Sequence, residues 1–252
     1  MSPRSVVVSG ANRGIGFGLV QQLLKNKDIE ILIATTRNVQ NANDLTAIKD
    51  PRLHILSLDI TKDDSIEEFV KKVDEIVGDH GLNLLVNNAG TQVLHKTPTR
   101  KVFNEQMDVN LTSTVLLTQH LLPLLKRAAS RVSGSELSSS RAAILNISSL
   151  LGSMSHNEFG SYLDALGGQS MLAYRLSKAA LNQFTKTLSI DLRQDHILVV
   201  SFCPGWVKTD LGGKDAPFTV EQSTSDLANS FASLNASHNG GFFSKTLEPH
   251  GW

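Results

Sequence analysis

The sequence predicts one α/β domain built on a mainly seven-stranded parallel sheet, doubly wound and flanked by helices. Three observations predict it. Short, nearly continuous apolar runs alternate with longer amphipathic stretches along the chain. Most of the runs lack a polar alternate face, as expected of strands covered on both sides. No linker, charge block or internal repeat divides the chain. Right-handed crossovers then distribute the helices over both faces.

Ser5-Val6-Val7-Val8-Ser9 is a β-branched run that ends at a glycine cluster. A helical pattern follows, with Ile15, Leu19, Val20, Leu23 and Leu24 on one side. Residues 30–35 and 53–58 are two further strands, and Asp63 to Val77 is an amphipathic helix. Residues 82–86 form another apolar run, and helical sequence resumes from Val102 to Ala129. Residues 143–147 make the fifth strand, Met171 to Gln194 a long helix, and residues 197–202 the sixth strand. Gly240 to Phe243 offers a seventh. The Ser-rich stretch 131–141 is expected to be an exposed loop. Residues 206–230 are expected to form a lid, with mobile sequence at 211–220.

Composition excludes several classes. Lys+Arg and Asp+Glu are 24 each, so the net charge is zero. That balance speaks against nucleic acid or an anionic membrane as partner. With 40% hydrophobic and 19% charged residues, the chain can bury a sizeable core. A single cysteine, Cys203, excludes an internal disulfide and fits a reducing, cytoplasmic compartment. No run approaches the ~20 apolar residues that span a bilayer, and the first residues carry no apolar leader. No two histidines stand three or four apart, so no helical metal motif is expected.

The run Ser9-Gly10-Ala11-Asn12-Arg13-Gly14-Ile15-Gly16 joins the first strand to the first helix. A glycine turn there lets backbone approach a pyrophosphate, and the helix N-terminus offers unpaired N–H groups to it. Dinucleotide sites for NAD place an acid near the end of the second strand. Here that end reads Ala34-Thr35-Thr36-Arg37-Asn38, with no carboxylate. Arg37 and Arg13 can instead pair with a 2′-phosphate, which favours NADP(H).

With Gly10-x3-Gly14-x-Gly16 go Asn87-Asn88-Ala89-Gly90, Asn110, Asn146-Ile-Ser-Ser149, Tyr174-x3-Lys178 and Pro204-Gly205. In this order the motifs resemble the short-chain dehydrogenase/reductase family. The single-domain branch of carbonyl reductases and sniffer and C-factor-like proteins is the most similar. The resemblance runs from Val6 to about Phe243. It implies a Rossmann-type fold, and it implies that Asp59 and Ile60 border the adenine. It sets Asn87, Ala89 and Gly90 along the adenosine ribose, and Pro204, Gly205, Val207 and Thr209 along the nicotinamide. It also implies a homodimer or homotetramer formed through the helices near 102–129 and 171–194.

The catalytic candidates are Asn110, Ser149, Tyr174 and Lys178. Tyr174 and Lys178 lie four apart, on one face of a predicted helix. Tyrosine has an ordinary pKa of about 10, and a nearby ammonium is expected to lower it. Such a tyrosine can exchange a proton with a carbonyl oxygen while the cofactor exchanges a hydride. Ser149, at the carboxyl end of a central strand, can donate to the developing oxyanion. The resemblance gives Asn110 a disturbed helix and a water relay to the lysine, and makes Tyr174, Lys178 and Asn110 cofactor neighbours as well.

The stretch between Ser149 and Tyr174 is long for the family. Residues 154–169, with Phe159, Tyr162, Leu163 and Leu166, are expected to wall the substrate pocket. Cys203 is expected in the core. His95 and His156 are candidates for the neighbourhood of the site, with a surface position as the simpler expectation. Trp206 could cap the pocket or pack the lid. The function expected is hydride transfer between NADP(H) and a small carbonyl or alcohol substrate. The alternative is a cofactor-sensing signalling or interaction protein with little turnover.

Overall fold

β-Branched and apolar runs, too short to make stable helices, form the strands of the computed structural model. It describes residues 2–97, 99–158 and 170–252. The elements are β1 (Ser5–Val8), α1 (Gly14–Lys25), β2 (Ile31–Thr36), α2 (Asn43–Thr46), β3 (Leu53–Ser57), α3 (Asp63–Val77) and β4 (Leu84–Asn87). Then follow α4 (Arg100–Met107), α5 (Ser113–Ser130), β5 (Ala143–Ile147), α6 (Leu172–Asp191), β6 (Leu198–Cys203), α7 (Val220–Ala232) and β7 (Phe242–Ser244).

The strands form one seven-stranded sheet in the order β3-β2-β1-β4-β5-β6-β7, every neighbouring pair parallel. This is the Rossmann-type doubly wound architecture. The order reverses between β1 and β4, which opens a crevice at the carboxyl ends of the strands. Alternation divides the core. Val6 and Val8 of β1 pack with Leu19, Val20 and Leu23 of α1 and with Leu227 and Phe231 of α7. Val7 points the other way, with Phe69 and Val73 of α3, Leu117 and Leu121 of α5 and Leu188 of α6.

Several boundaries differ from the sequence expectation. The helical stretch 102–129 begins at Arg100 and is interrupted by a π-helical turn at Asp108–Thr112. Of residues 206–230, expected to form a lid, those from Val220 onward belong to helix α7, which runs to Ala232. Thr219 caps α7 on the Gln222 N–H, and the Gln222 side chain answers on the Thr219 N–H. The irregular part, 206–218, is closed at its base by a bridge between Val207 and Phe218. In the 131–141 stretch, residues 131–136 are exposed, but Leu137, Ser139 and Arg141 are buried. Arg141 anchors that stretch by donating to the carbonyls of Ala129 and Gly134. The expected pocket wall reaches into 159–169, outside the described residues. Among the described residues, no helix is long and apolar enough to cross a membrane.

Candidate active site

The glycine loop lies where a flexible backbone is required. Gly10 has φ +64°, and a Cβ there would stand 2.9 Å from Ala89 Cα. Gly14 has φ +56° and faces Thr209 of the lid. Gly16 meets the Gly10 carbonyl and the Asn88 side chain so closely that no Cβ fits. Asn88 Nδ2 donates to the carbonyls of Ser9 and Gly10, and Ser9 Oγ accepts from the Asn88 and Ala89 N–H groups. Helix α1 has no side-chain N-cap and no acid in its first turn. Its first N–H groups are therefore left for an external acceptor, as a pyrophosphate site requires.

The end of β2 adjoins this loop through Gly10 N–H to Thr35 Oγ1 (3.1 Å) and Ala11 N–H to the Thr35 carbonyl (2.7 Å). Arg37 follows and is exposed. Arg13 departs from the expected geometry, because its guanidinium pairs with Asp210 of the lid. Asp59 Oδ1 accepts from the backbone and hydroxyl of Thr61, which fixes the turn after β3 beside buried Ile60.

Asn87, at the end of β4, donates to Thr118 Oγ1 (2.9 Å) and Asn146 Oδ1 (2.8 Å). A Cβ on Gly90 would lie 3.3 Å from Asn110 Oδ1 and 3.6 Å from Lys178 Nζ, so this bend reaches the catalytic candidates. Asn110 sits in the π turn, where the Ser113 N–H reaches back to the Asp108 carbonyl. Its Oδ1 accepts from Thr91 N–H (2.8 Å), and its Nδ2 donates to the Thr91 carbonyl and Ser177 Oγ (2.9 Å each). The asparagine thus ties the loop after β4 to helix α6. The Ser177 contact had no signal in the sequence, where it is one more residue of the Tyr-x3-Lys window.

Tyr174 and Lys178 project from one face of α6 into the carboxyl edge of the sheet, both buried. Lys178 Nζ donates to the Ile147 carbonyl at 2.9 Å and lies 5.7 Å from the Tyr174 ring centre. Ser149 neighbours Tyr174 closely enough to hold its pKa down, and Ser149 Oγ accepts from Leu151 N–H at 3.2 Å. Ser148 instead bonds Asn182 Oδ1 at 2.6 Å, so the two serines diverge as alternation requires.

The expected lowering of the tyrosine is reversed in the protein by itself. Burial pushes Tyr174 up to about 12, against the opposing hydrogen bond from Ser149. The same burial brings Lys178 down to about 8. Desolvation penalises both charged forms more than either group stabilises the other.

Pro204 is held by its carbonyl, which accepts from Ser223 Oγ at 2.7 Å, and Gly205 turns the chain with φ +82°. Val207 is buried, and Thr209 Oγ1 accepts from Gly212 N–H. Trp206 packs the lid, donating its indole N–H to the Gly212 carbonyl at 2.6 Å with 57% of the residue exposed. Cys203 is buried as expected, with Leu150 N–H directed at its sulfur. His156 is exposed as expected. His95 is buried, contrary to expectation.

The sequence profile of the short chain dehydrogenases matches residues 4–218. This chain belongs to the short-chain dehydrogenase family. Two solved relatives extend the likeness beyond the profile. The Sniffer protein of Caenorhabditis elegans is 54% identical over the whole of both chains, with a TM-score of 0.90. An NADPH-bound carbonyl reductase from chicken fatty liver is 38% identical, with a TM-score of 0.93, over 100% of this chain and 95% of that one. The C-signal protein of Myxococcus xanthus is 30% identical over 166 residues, 64% of this chain and 87% of its own. As a short-chain dehydrogenase, the chain is an oxidoreductase of known architecture.

Proposed function

We propose that this short-chain dehydrogenase is an NADP(H)-dependent carbonyl reductase. The observation that carries the reading is the buried Tyr174 beside Ser149, with Lys178 one turn along the same helix and its Nζ on the Ile147 carbonyl. The glycine cradle and the uncapped start of α1 support dinucleotide binding. Arg37, with no acid at the end of β2, supports the phosphorylated cofactor. Gly10, Asn12, Gly14, Ile15 and Gly16 would hold the pyrophosphate end, and Arg13, with Arg37, the 2′-phosphate. Asp59, Ile60, Asn87, Ala89 and Gly90 would border the adenosine, and Pro204, Gly205, Val207 and Thr209 the nicotinamide.

When bound, the nicotinamide supplies or accepts the hydride. The protein supplies position and the proton. Tyr174, with its pKa near 12, keeps its hydroxyl proton at neutral pH and can give it to a carbonyl oxygen. Ser149 donates to the same oxygen as negative charge gathers there. Lys178 carries charge below about pH 8 and favours the phenolate that remains. Asn110 fixes the loop and helix between which this takes place. Protonated tyrosine favours reduction at neutral pH, and oxidation of an alcohol is expected to gain as pH rises.

The test is NADPH oxidation across aldehydes, ketones and quinones, with NADH and Tyr174→Phe as controls. Turnover that prefers NADPH and drops at least about a hundredfold in the mutant is expected. The likeness to C-signal supports a second reading, a cofactor-sensing or interaction protein. NADPH binding with no turnover on any substrate would favour it. The homodimer or homotetramer is likewise a proposal, which sedimentation at working concentration checks.

A further inference from the structure

His95 and Gln106 are buried polar residues for which the fold itself gives no partner. His95 is 7% exposed, and neither ring nitrogen has a hydrogen-bond partner among the described residues. Gln106 is fully buried, and its Oε1 and Nε2 are likewise unpaired. Folded proteins nearly always pair such groups, so four unpaired atoms call for an explanation.

Their position relates them to the site. His95 lies five residues beyond Gly90, in the segment whose Thr91 is clamped on both sides by Asn110. Its backbone forms a two-bond bridge with Ser170 (3.4 and 2.7 Å), two residues before the helix that carries Tyr174 and Lys178. Its ring stands edge-on to Phe103 of α4, centres 6.0 Å apart. Gln106 lies one turn further along α4 on the Phe103 face, just before the π turn that holds Asn110. The segment carrying the unpaired imidazole is thus tied to Asn110 at Thr91 and to the chain just before the catalytic helix at His95, and the ring contact with Phe103 leaves its nitrogens unused.

We infer that His95, with Gln106 behind Phe103, is a specificity determinant that hydrogen-bonds a second oxygen of the substrate, away from the reacting carbonyl. An imidazole offers one donor and one acceptor, and a carboxamide offers both, so a hydroxyl or a second carbonyl can be met. A substrate lacking that oxygen leaves buried polar groups unpaired, which is how such sites discriminate against it. The inference rests on the reductase reading.

The experiment uses the full chain with NADPH and two isosteric pairs, 3- and 4-hydroxybenzaldehyde against 3- and 4-methylbenzaldehyde. The readout is the hydroxy-over-methyl ratio of kcat/KM, compared between wild type and variant so that intrinsic reactivity cancels. His95→Phe is expected to lower that ratio at least about tenfold in one pair, and Gln106→Leu to lower it less. His95→Asn, which keeps a donor and an acceptor, is expected to recover part of it. Equal loss on both members, or a ratio that does not move, overturns the inference and makes His95 a packing residue. Binding of the same aldehydes to NADPH-loaded Tyr174→Phe protein, by calorimetry, separates the two failures. Hydroxyl preference in binding that vanishes with an added His95→Phe change supports the site even where wild type shows no turnover. Absence of that preference refutes the site whether or not the enzyme reduces carbonyls.

Discussion

Lys178 shows at a single residue how catalysis and stability oppose each other. The residue is 5% exposed, and its ammonium has the Ile147 carbonyl as hydrogen-bond partner. Burial brings its pKa from 10.5 down to about 8, and each unit corresponds to about 1.4 kcal/mol. The folded-state value lies below the unfolded one. The contribution of this group to stability is therefore complete above about pH 10.5 and is lost as pH falls through about 8. Methionine fills similar space without a charge. Lys178→Met is expected to abolish reduction while raising stability at pH 7 by about 1–2 kcal/mol, allowing for the lost hydrogen bond. That is an increase in Tm of about 2–8 °C, and the gain should shrink as pH rises toward 10.5. Thermal melts of cofactor-free protein at pH 7 and pH 9.5 check both signs. A lower Tm for the variant at pH 7 would mean that the lysine is solvated or paired better than its burial implies.

Among the elements, β4, β5, α6 and β6 are joined by a chain of side chains as well as by the ladder. Asn87 Nδ2 donates to Asn146 Oδ1, Asn146 Nδ2 to Thr185 Oγ1 (2.8 Å each), and Thr185 meets Ser201 Oγ at 2.8 Å. All four are buried. Asn146→Ala leaves donors and acceptors without partners on both sides and is expected to cost about 2–4 kcal/mol. Asn146→Asp should be worse, since it adds a buried charge. Urea unfolding with an unchanged m-value checks this, and a loss below about 0.5 kcal/mol would mean that the chain is not a stabilising network. The strands were legible in the sequence because two-sided burial leaves nearly continuous apolar runs, broken only by Asn146 in Ala143–Ile147 and by Ser201 in Leu198–Cys203. The π turn was legible only as a disturbed helix at Asn110, since an extra residue per turn leaves no mark on composition. Helix α7 was obscured by its polar sequence. It carries Ser223, Thr224 and Ser230 where apolar residues would be expected, although its Thr-x-x-Gln cap stood in plain view. The burial of His95 was hidden because it depends on Ser170, far along the chain, and on Phe103 of the next helix, which meet it only in the fold.

At the scale of the whole molecule, the first and last thirds of the chain meet across the cofactor cleft. Gly18 of α1 packs so closely on α7 that a Cβ would stand 2.5 Å from Val220, and Thr209 faces Gly14. The Arg13–Asp210 pair spans the same junction, from the glycine loop to the lid. The sequence made Arg13 a candidate for the 2′-phosphate but held no sign of the aspartate, which lies far along the chain. Both side chains are exposed, so the pair adds little to stability. Its consequence lies in competition, because a guanidinium engaged by Asp210 is withheld from a phosphate. Asp210→Asn removes the competing charge and is expected to tighten NADPH binding by a few fold, with little change for NADH, which lacks the phosphate. The gain should fade at high salt, where the Debye length contracts to about 3 Å at 1 M. Arg13→Ala should erase both the NADPH preference contributed by this residue and the effect of Asp210→Asn, as coupled neighbours do in a double-mutant cycle. Fluorescence titration of both cofactors at low and high salt measures all of these quantities. Equal changes for NADPH and NADH would instead assign Asp210 to holding the lid closed over either cofactor, leaving Arg37 as the phosphate's partner.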